Sequence, residues 1–301
     1  MAEIKAFKGM RYDTSKGGSL NSLVCPPYDI ISDTQREQYI NNNEFNIIRL
    51  ELPKGDDSRY KEAGNILEQW LDKGVLVQDK QDSIYVYEME FTANGQRKSV
   101  KGFVSLVKLE DFSKGIVLPH EETLSKAKAD RFNLMSETYC NFSQIYSLYM
   151  DEDGSAYNSI DKCSAGAPDM QITDPDGTVH KMWCVSDEAV IAGLKEIFAD
   201  KKLYIADGHH RYETALNFHR HLVNEGKAVE GDLSGYISMM LVNMENKGLV
   251  VFPTHRIVRN LDGFDADEVI EKSREYFDIA QAPCQERMQA ALNELYSNGK
   301  K

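Results

Sequence analysis

The chain has 301 residues, 42% of them hydrophobic and 28% charged, and a formal net charge of −13. That length allows two domains or one large core, and the acidity argues against charge-driven binding to nucleic acid or an anionic membrane while leaving room for a small basic pocket. No run approaches the ~20 apolar residues of a bilayer span, the stretch Met1-Ala2-Glu3-Ile4-Lys5 lacks the long apolar run expected of a signal peptide, and five scattered cysteines without a Cys-x-x-Cys pair point to a reducing cytoplasm rather than a disulfide framework or zinc knuckle.

In chain order, the segment from Ile4 to Tyr12 leads into a loop at Ser15 to Ser22. Pro26-Pro27 then fixes a rigid, non-helical path through Tyr28-Asp29. Ser32 with Gln35 has the spacing of a capping box and predicts a helix through Tyr39-Ile40. Asn46 to Leu52 reads as a strand. Ser58 to Lys73 reads as a helix with Tyr60, Ala63, Ile66, Leu67, Trp70 and Leu71 on one face and Gly74 as its stop. Ser83 to Phe91 and Lys98 to Leu109 read as a hairpin or meander around Asn94-Gly95.

Further along, Ala127 to Glu137 is expected as a helix, Ser143 to Tyr149 as a strand and Asp151 to Asp169 as a loop. Gln171 to Val185 reads as a second hairpin turning at Asp174-Pro175-Asp176-Gly177, followed by a helix at Asp187 to Phe198. A strand at Leu203-Tyr204-Ile205 precedes a helix whose apolar face takes Tyr212, Ala215, Leu216, His219, Leu222 and Val223. Gly235 to Met244 and Gly248 to Phe252 suggest a third hairpin, and Asp265 to Phe277 and Gln285 to Tyr296 two last helices. The sum is an α+β chain with mixed, mostly antiparallel sheets and flanking helices, divided into an N-terminal region (1–110) and a second region (111–301).

The chemistry concentrates at Asp207-Gly208-His209-His210-Arg211. A strand, a glycine turn and a helix start leave backbone N–H groups facing a potential anion. Three consecutive cation-capable residues there oppose the helix dipole, an arrangement that a bound phosphate would offset. The bland alternative makes Asp207 a cap and the histidines surface or satisfied residues. Pro119-His120-Glu121-Glu122-Thr123, with Lys126, Lys128, Asp130 and Arg131 downstream, is either an acid/base and phosphate cluster or a solvated charged loop. Pro253-Thr254-His255-Arg256 supplies either a second phosphate ligand or a polar sheet end, and Tyr28-Asp29 either a substrate contact or a structural corner. There is no Walker loop, no Gly-x-Gly-x-x-Gly and no Gly-x-Ser-x-Gly elbow. His219 and His221 face apart at i, i+2, so no metal ligand set is expected.

Taken together, the histidine corner, Pro26-Pro27-Tyr28-Asp29 and Pro119-His120-Glu121 resemble the domain of unknown function 1015 family of bacteria and archaea across most of the chain. Members of that family are longer, which implies missing C-terminal strands here. Gly208-x-His210-Arg211 also resembles the phosphate corner of the ParB/sulfiredoxin-like fold, which includes sulfiredoxin, the ParB nucleotide-binding domain and an ADP-dependent free-serine kinase. That resemblance implies a ParB/sulfiredoxin-like core within the second region, with Asp207 to Arg211 on nucleotide or ester phosphates. His209 stands where sulfiredoxin carries its reactive cysteine, which argues against sulfinic-acid repair.

The activity expected from residues and resemblance together is phosphoryl transfer to a small hydroxy metabolite such as serine, with ADP or ATP and Mg as cofactors. Glu121 or His120 would be the base, and Asp207 or Asp29 would orient substrate or magnesium, while Tyr28, Asp29, Arg131, His255 and Arg256 would contact substrate. A covalent role for His209 would make the same site a phosphoserine-type phosphatase. A nucleotide-sensing module without turnover is the reading from another class. The expected partners are small phosphate esters or nucleotides, not a membrane or nucleic acid.

Overall fold

The computed structural model describes residues 1–93, 95–123, 125–251, 261–279, 287, 288 and 290, with the side chains of 125–127 excepted. They fall into two compact units, Met1–Val250 and Val251–Lys301.

The first unit begins with β1 (Ile4–Lys5) and β2 (Met10–Tyr12), then two short helical turns, α1 (Thr14–Gly17) and α2 (Leu20–Leu23), where a loop is expected. After a 3-10 turn at Tyr28–Ile30, α3 (Asp33–Asn42) starts on the Ser32/Gln35 capping box, whose two reciprocal bonds are both present. The run at Asn46 to Leu52 is not a strand. It is the short helix α4 (Ile48–Glu51), because the Asn46 side chain accepts the Ile48 N–H at 3.0 Å and donates to the carbonyls of Ser22 and Val24. Its apolar residues sit buried around a single turn rather than alternating across a sheet. Next come α5 (Arg59–Asp72), with Tyr60, Ala63, Leu67 and Trp70 buried, and β3 (Leu76–Gln78), which pairs with β2 in a small separate sheet.

The main sheet is built from β4 (Ile84–Ala93), β5 (Gln96–Lys108), β6 (Val117–Leu118), β7 (Ile145–Tyr149), β8 (Met170–Thr173), β9 (Val179–Val185), β10 (Leu203–Asp207) and β11 (Tyr236–Asn243). Their order is β6-β10-β7-β11-β5-β4-β9-β8, with β1 also on β5. The pairings β6–β10 and β7–β11 are parallel and the others in this sheet antiparallel. The two expected hairpins, β4–β5 and β8–β9, are in place. The expected third one is not: Gly248 to Val251 form no strand, and Phe252 lies outside the described residues. β11 is already paired on both sides by β5 and β7, which leaves no edge for a partner.

Four helices complete this unit: α6 (Ser125–Thr138), α7 (Ser155–Cys163), α8 (Glu188–Phe198) and α9 (His209–Asn224). The segment expected as a loop at Asp151 to Asp169 holds α7. Ala156 and Ile160 are buried in the core, and the Asp151 carboxylate accepts the Ala156 N–H at 2.9 Å. The principal core packs Phe103, Tyr149, Leu194, Phe198, Ile205 and Tyr212 between the sheet and the helices α7, α8 and α9. On α9 the buried stripe runs through Tyr212, Ala215, Phe218 and Leu222, whereas Val223 is exposed. In the second unit, Asp265 caps α10 (Ala266–Ser273) by accepting from the N–H groups of Asp267 and Glu268. The predicted helix at Gln285 to Tyr296 falls almost wholly outside the described residues. The expected division at residue 110 falls between strands of one sheet, since β4 and β5 precede it and β6 to β11 follow it.

Candidate active site

Two loops meet because of one strand pairing. β6 runs parallel to β10, with Val117 opposite Leu203 and Leu118 opposite Tyr204, so both strands exit at the same end of the sheet. β6 releases Pro119-His120-Glu121 there, and β10 releases Asp207-Gly208-His209 beside it. The antiparallel neighbour β7 starts at that end and brings the Gln144 carbonyl alongside. The sequence reading assigns both motifs to one reaction without a reason for their proximity; the parallel pair is what brings them together.

Gly208 holds φ 99° and ψ 26°, a left-handed conformation costly for residues with a Cβ, and α9 begins immediately after it. The first helical bond runs from the Tyr212 N–H to the Gly208 carbonyl at 3.0 Å, so the N–H groups of residues 209 to 211 precede the ladder. Asp207 does not cap the helix. Its carboxylate pairs with the Arg211 guanidinium, which also donates to the Gln144 carbonyl at 2.6 Å and lies over Gly208. Tyr212 pins the first turn, exchanging hydrogen bonds with the backbone of Glu110 at 2.9 and 2.7 Å.

His209 is 1% exposed. Its Nε2 accepts the backbone N–H of His120 at 3.2 Å, so Nδ1 carries the ring hydrogen of the neutral form and sits 3.1 Å from Glu121 Oε1. Burial, the largest influence, pushes the His209 pKa down against the opposing pull of Glu121. His120 Nδ1 lies 2.8 Å from the Ile205 carbonyl, which can only accept, so the ring hydrogen of the neutral form sits on Nδ1 and Nε2 is the acceptor in that form. The two rings stand edge to face with centroids 4.5 Å apart. Glu121 itself is half exposed. The result is a solvent-facing carboxylate held by a buried neutral imidazole, with a second imidazole adjacent.

The possible ligand atoms of His120, Glu121 and His209 lie within 4.8 Å of one another. A metal on His209 Nδ1 would have to replace the ring hydrogen while Nε2 is taken up by the His120 amide. The tautomer thus suits proton handling better than metal ligation. Beside the cluster, Thr123 and Lys128 both donate to Glu213, at 2.8 and 2.6 Å.

Two of the other predicted contacts, Tyr28 and Arg131, line a cavity of about 40 Å³ together with Glu51, Asn141, Arg211 and Thr214 among others. The Arg131 guanidinium covers the Tyr28 ring at 4.3 Å, donates to the Glu51 carbonyl at 2.7 Å and pairs with Asp130 at 2.6 Å. Asp29 is exposed on the same turn. His255 and Arg256 lie outside the described residues.

The model of one known family matches residues 4–300, nearly the whole chain. The chain belongs to the family described as Protein of unknown function (DUF1015). No curated protein and no solved structure matches it.

Within this DUF1015 chain, the residue that sequence reasoning missed is Glu51. It is 6% exposed, and burial pushes its pKa up to about 7 although Arg131 and Arg211 pull the other way. The available signal was a carboxylate flanked by Leu50 and Leu52, obscured by reading that run as a strand. No helix among the described residues is long and apolar enough to cross a membrane.

Proposed function

We propose that this chain is a phosphotransferase that moves a phosphoryl group from ADP or ATP to the hydroxyl of a small metabolite, serine being the candidate. The observation that carries the reading is the 3.1 Å approach of His209 Nδ1 to Glu121 Oε1 beside the N-terminus of α9. In this reading Glu121 takes the proton of the attacking hydroxyl, and His209 holds the carboxylate in place. The new P–O bond forms to that oxygen as the bond to the nucleotide breaks. The α9 N-terminus and Arg211 meet the charge on the phosphoryl oxygens, the main demand of such chemistry. The exposed oxygens of Asp207 suit magnesium, which usually takes one or two carboxylates alongside substrate phosphates and would neutralise charge on them. A ParB/sulfiredoxin-like kinship of the corner belongs to the same proposal.

The geometry favours the kinase over a phosphatase working through phosphohistidine. His209 is buried and both its ring nitrogens are engaged, so it lacks an approach for phosphorus. The test is a calorimetric titration of nucleotide into wild type and Arg211→Ala. Loss of charge-assisted hydrogen bonds at ~1.5–3 kcal/mol predicts roughly 10- to 100-fold weaker binding with the fold retained. Unchanged affinity removes the corner as the anion site, and binding without turnover across a panel of hydroxy metabolites supports a sensor instead.

A further inference from the structure

We propose that the cavity beside Arg211 recognises a small ligand carrying a primary ammonium group, with the Glu51 carboxylate as its counter-ion. The inference rests on the cavity alone and holds whether or not phosphoryl transfer occurs next to it.

The charges around the cavity leave one group unmatched. Arg131 is paired with Asp130 at 2.6 Å, and Arg211 is paired with Asp207. Glu51 is 6% exposed, and its carboxylate has no hydrogen-bond or ion-pair partner among the described residues; its backbone carbonyl accepts from Arg131 and its N–H donates to the Ile47 carbonyl. A desolvated carboxylate without a partner is unfavourable unless a proton or a cation neutralises it. Without a cationic partner the proton serves, since burial pushes the Glu51 pKa up to about 7. An entering ammonium group would displace that proton and supply the missing partner.

The rest of the wall fits such a group. The cavity of about 40 Å³ exceeds the ~10–15 Å³ that one water needs. Asn141 and Thr214 carry oxygens for the remaining N–H donors, and Phe142 and Leu134 cover an aliphatic stem. A carboxylate ligand would instead face Glu51 and two guanidinium groups already occupied by aspartates. Among the described residues, the charged and titratable groups around Glu51 and its cavity are Tyr28 and Asp29 on the 3-10 turn, Arg131 on α6, Arg211 on α9 and the thiols of Cys25 and Cys140. Tyr28, Cys25 and Cys140 are all pushed up by burial, which leaves Glu51 as the group that exchanges a proton near neutrality.

The experiment titrates ethanolamine into the wild-type chain, without nucleotide, at pH 7 in two buffers of different ionisation enthalpy. Ethylene glycol and glycolate serve as controls of similar size. Saturable binding of ethanolamine alone, with release of roughly half a proton per site, is expected. Affinity should rise about tenfold between pH 6 and pH 8 as Glu51 ionises. Glu51→Gln, which keeps the side-chain shape and the backbone contact to Arg131, should weaken binding at least tenfold and abolish proton release. Absence of saturation, equal binding of glycol or glycolate, or full affinity in Glu51→Gln each overturns the proposal. Should the variant fail to fold, the wild-type proton release and pH dependence decide by themselves.

Discussion

Glu51 and His209 are both buried titratable groups, and they bias stability in opposite directions with pH. The Glu51 pKa rises from 4.5 to about 7 in the folded chain. Between those values the folded state holds more protons than the unfolded one, so stability falls as pH rises through that window. At ~1.4 kcal/mol for each tenfold change in proton affinity, the full effect is about 3 kcal/mol. Glu51→Gln is therefore expected to gain stability relative to wild type as pH climbs from 4.5 to 7.5 in denaturant titrations; a difference independent of pH contradicts the assignment. For His209 the folded pKa lies below the ordinary 6.5, and its contribution is lost as pH falls from 6.5 through the lowered value. The two histidine motifs are legible in the sequence because rare residue types stand consecutively at a turn. Glu51 is not, because its surroundings come from a turn and two helices remote in sequence.

Among the elements, long periodic segments are legible and short apolar ones are not. The helices α5 and α8 and the hairpins β4–β5 and β8–β9 follow from period, caps and turn residues. α4 is missed because a four-residue apolar run has the same pattern in a strand and in one helical turn. α7 is missed because polar residues cover the faces flanking Ala156 and Ile160. Glycines separate the two kinds of close approach. A Cβ on Gly102 in β5 would lie 2.3 Å from the Leu241 carbonyl oxygen of β11, whereas one on Gly193 in α8 would meet nothing within 4 Å. Gly102→Ala should destabilise by about 1–3 kcal/mol or more, and Gly193→Ala should stabilise by about 0.5–1 kcal/mol. Equal melting shifts in a thermal scan would contradict the packing described for β5 and β11.

For the whole molecule, one sheet carries strands from both sides of position 110, and the candidate site forms where two of its parallel strands end together. The succession of predicted elements indicates the α+β class but not this strand order, because parallel pairing between β6 and β10 joins segments separated by more than eighty residues. The net charge of −13 is spread over a body whose candidate anion corner still places Arg211 and two histidines at one helix start. The most direct measurement supplies the purified chain with radiolabelled ADP or ATP, magnesium and serine, and follows label appearing in phosphoserine. Transfer in the wild type, reduced ~10²- to 10⁴-fold in Glu121→Gln with nucleotide affinity retained, is the predicted result. Transfer at equal rates in the two proteins, or none to serine or any other small hydroxy metabolite offered, would contradict it.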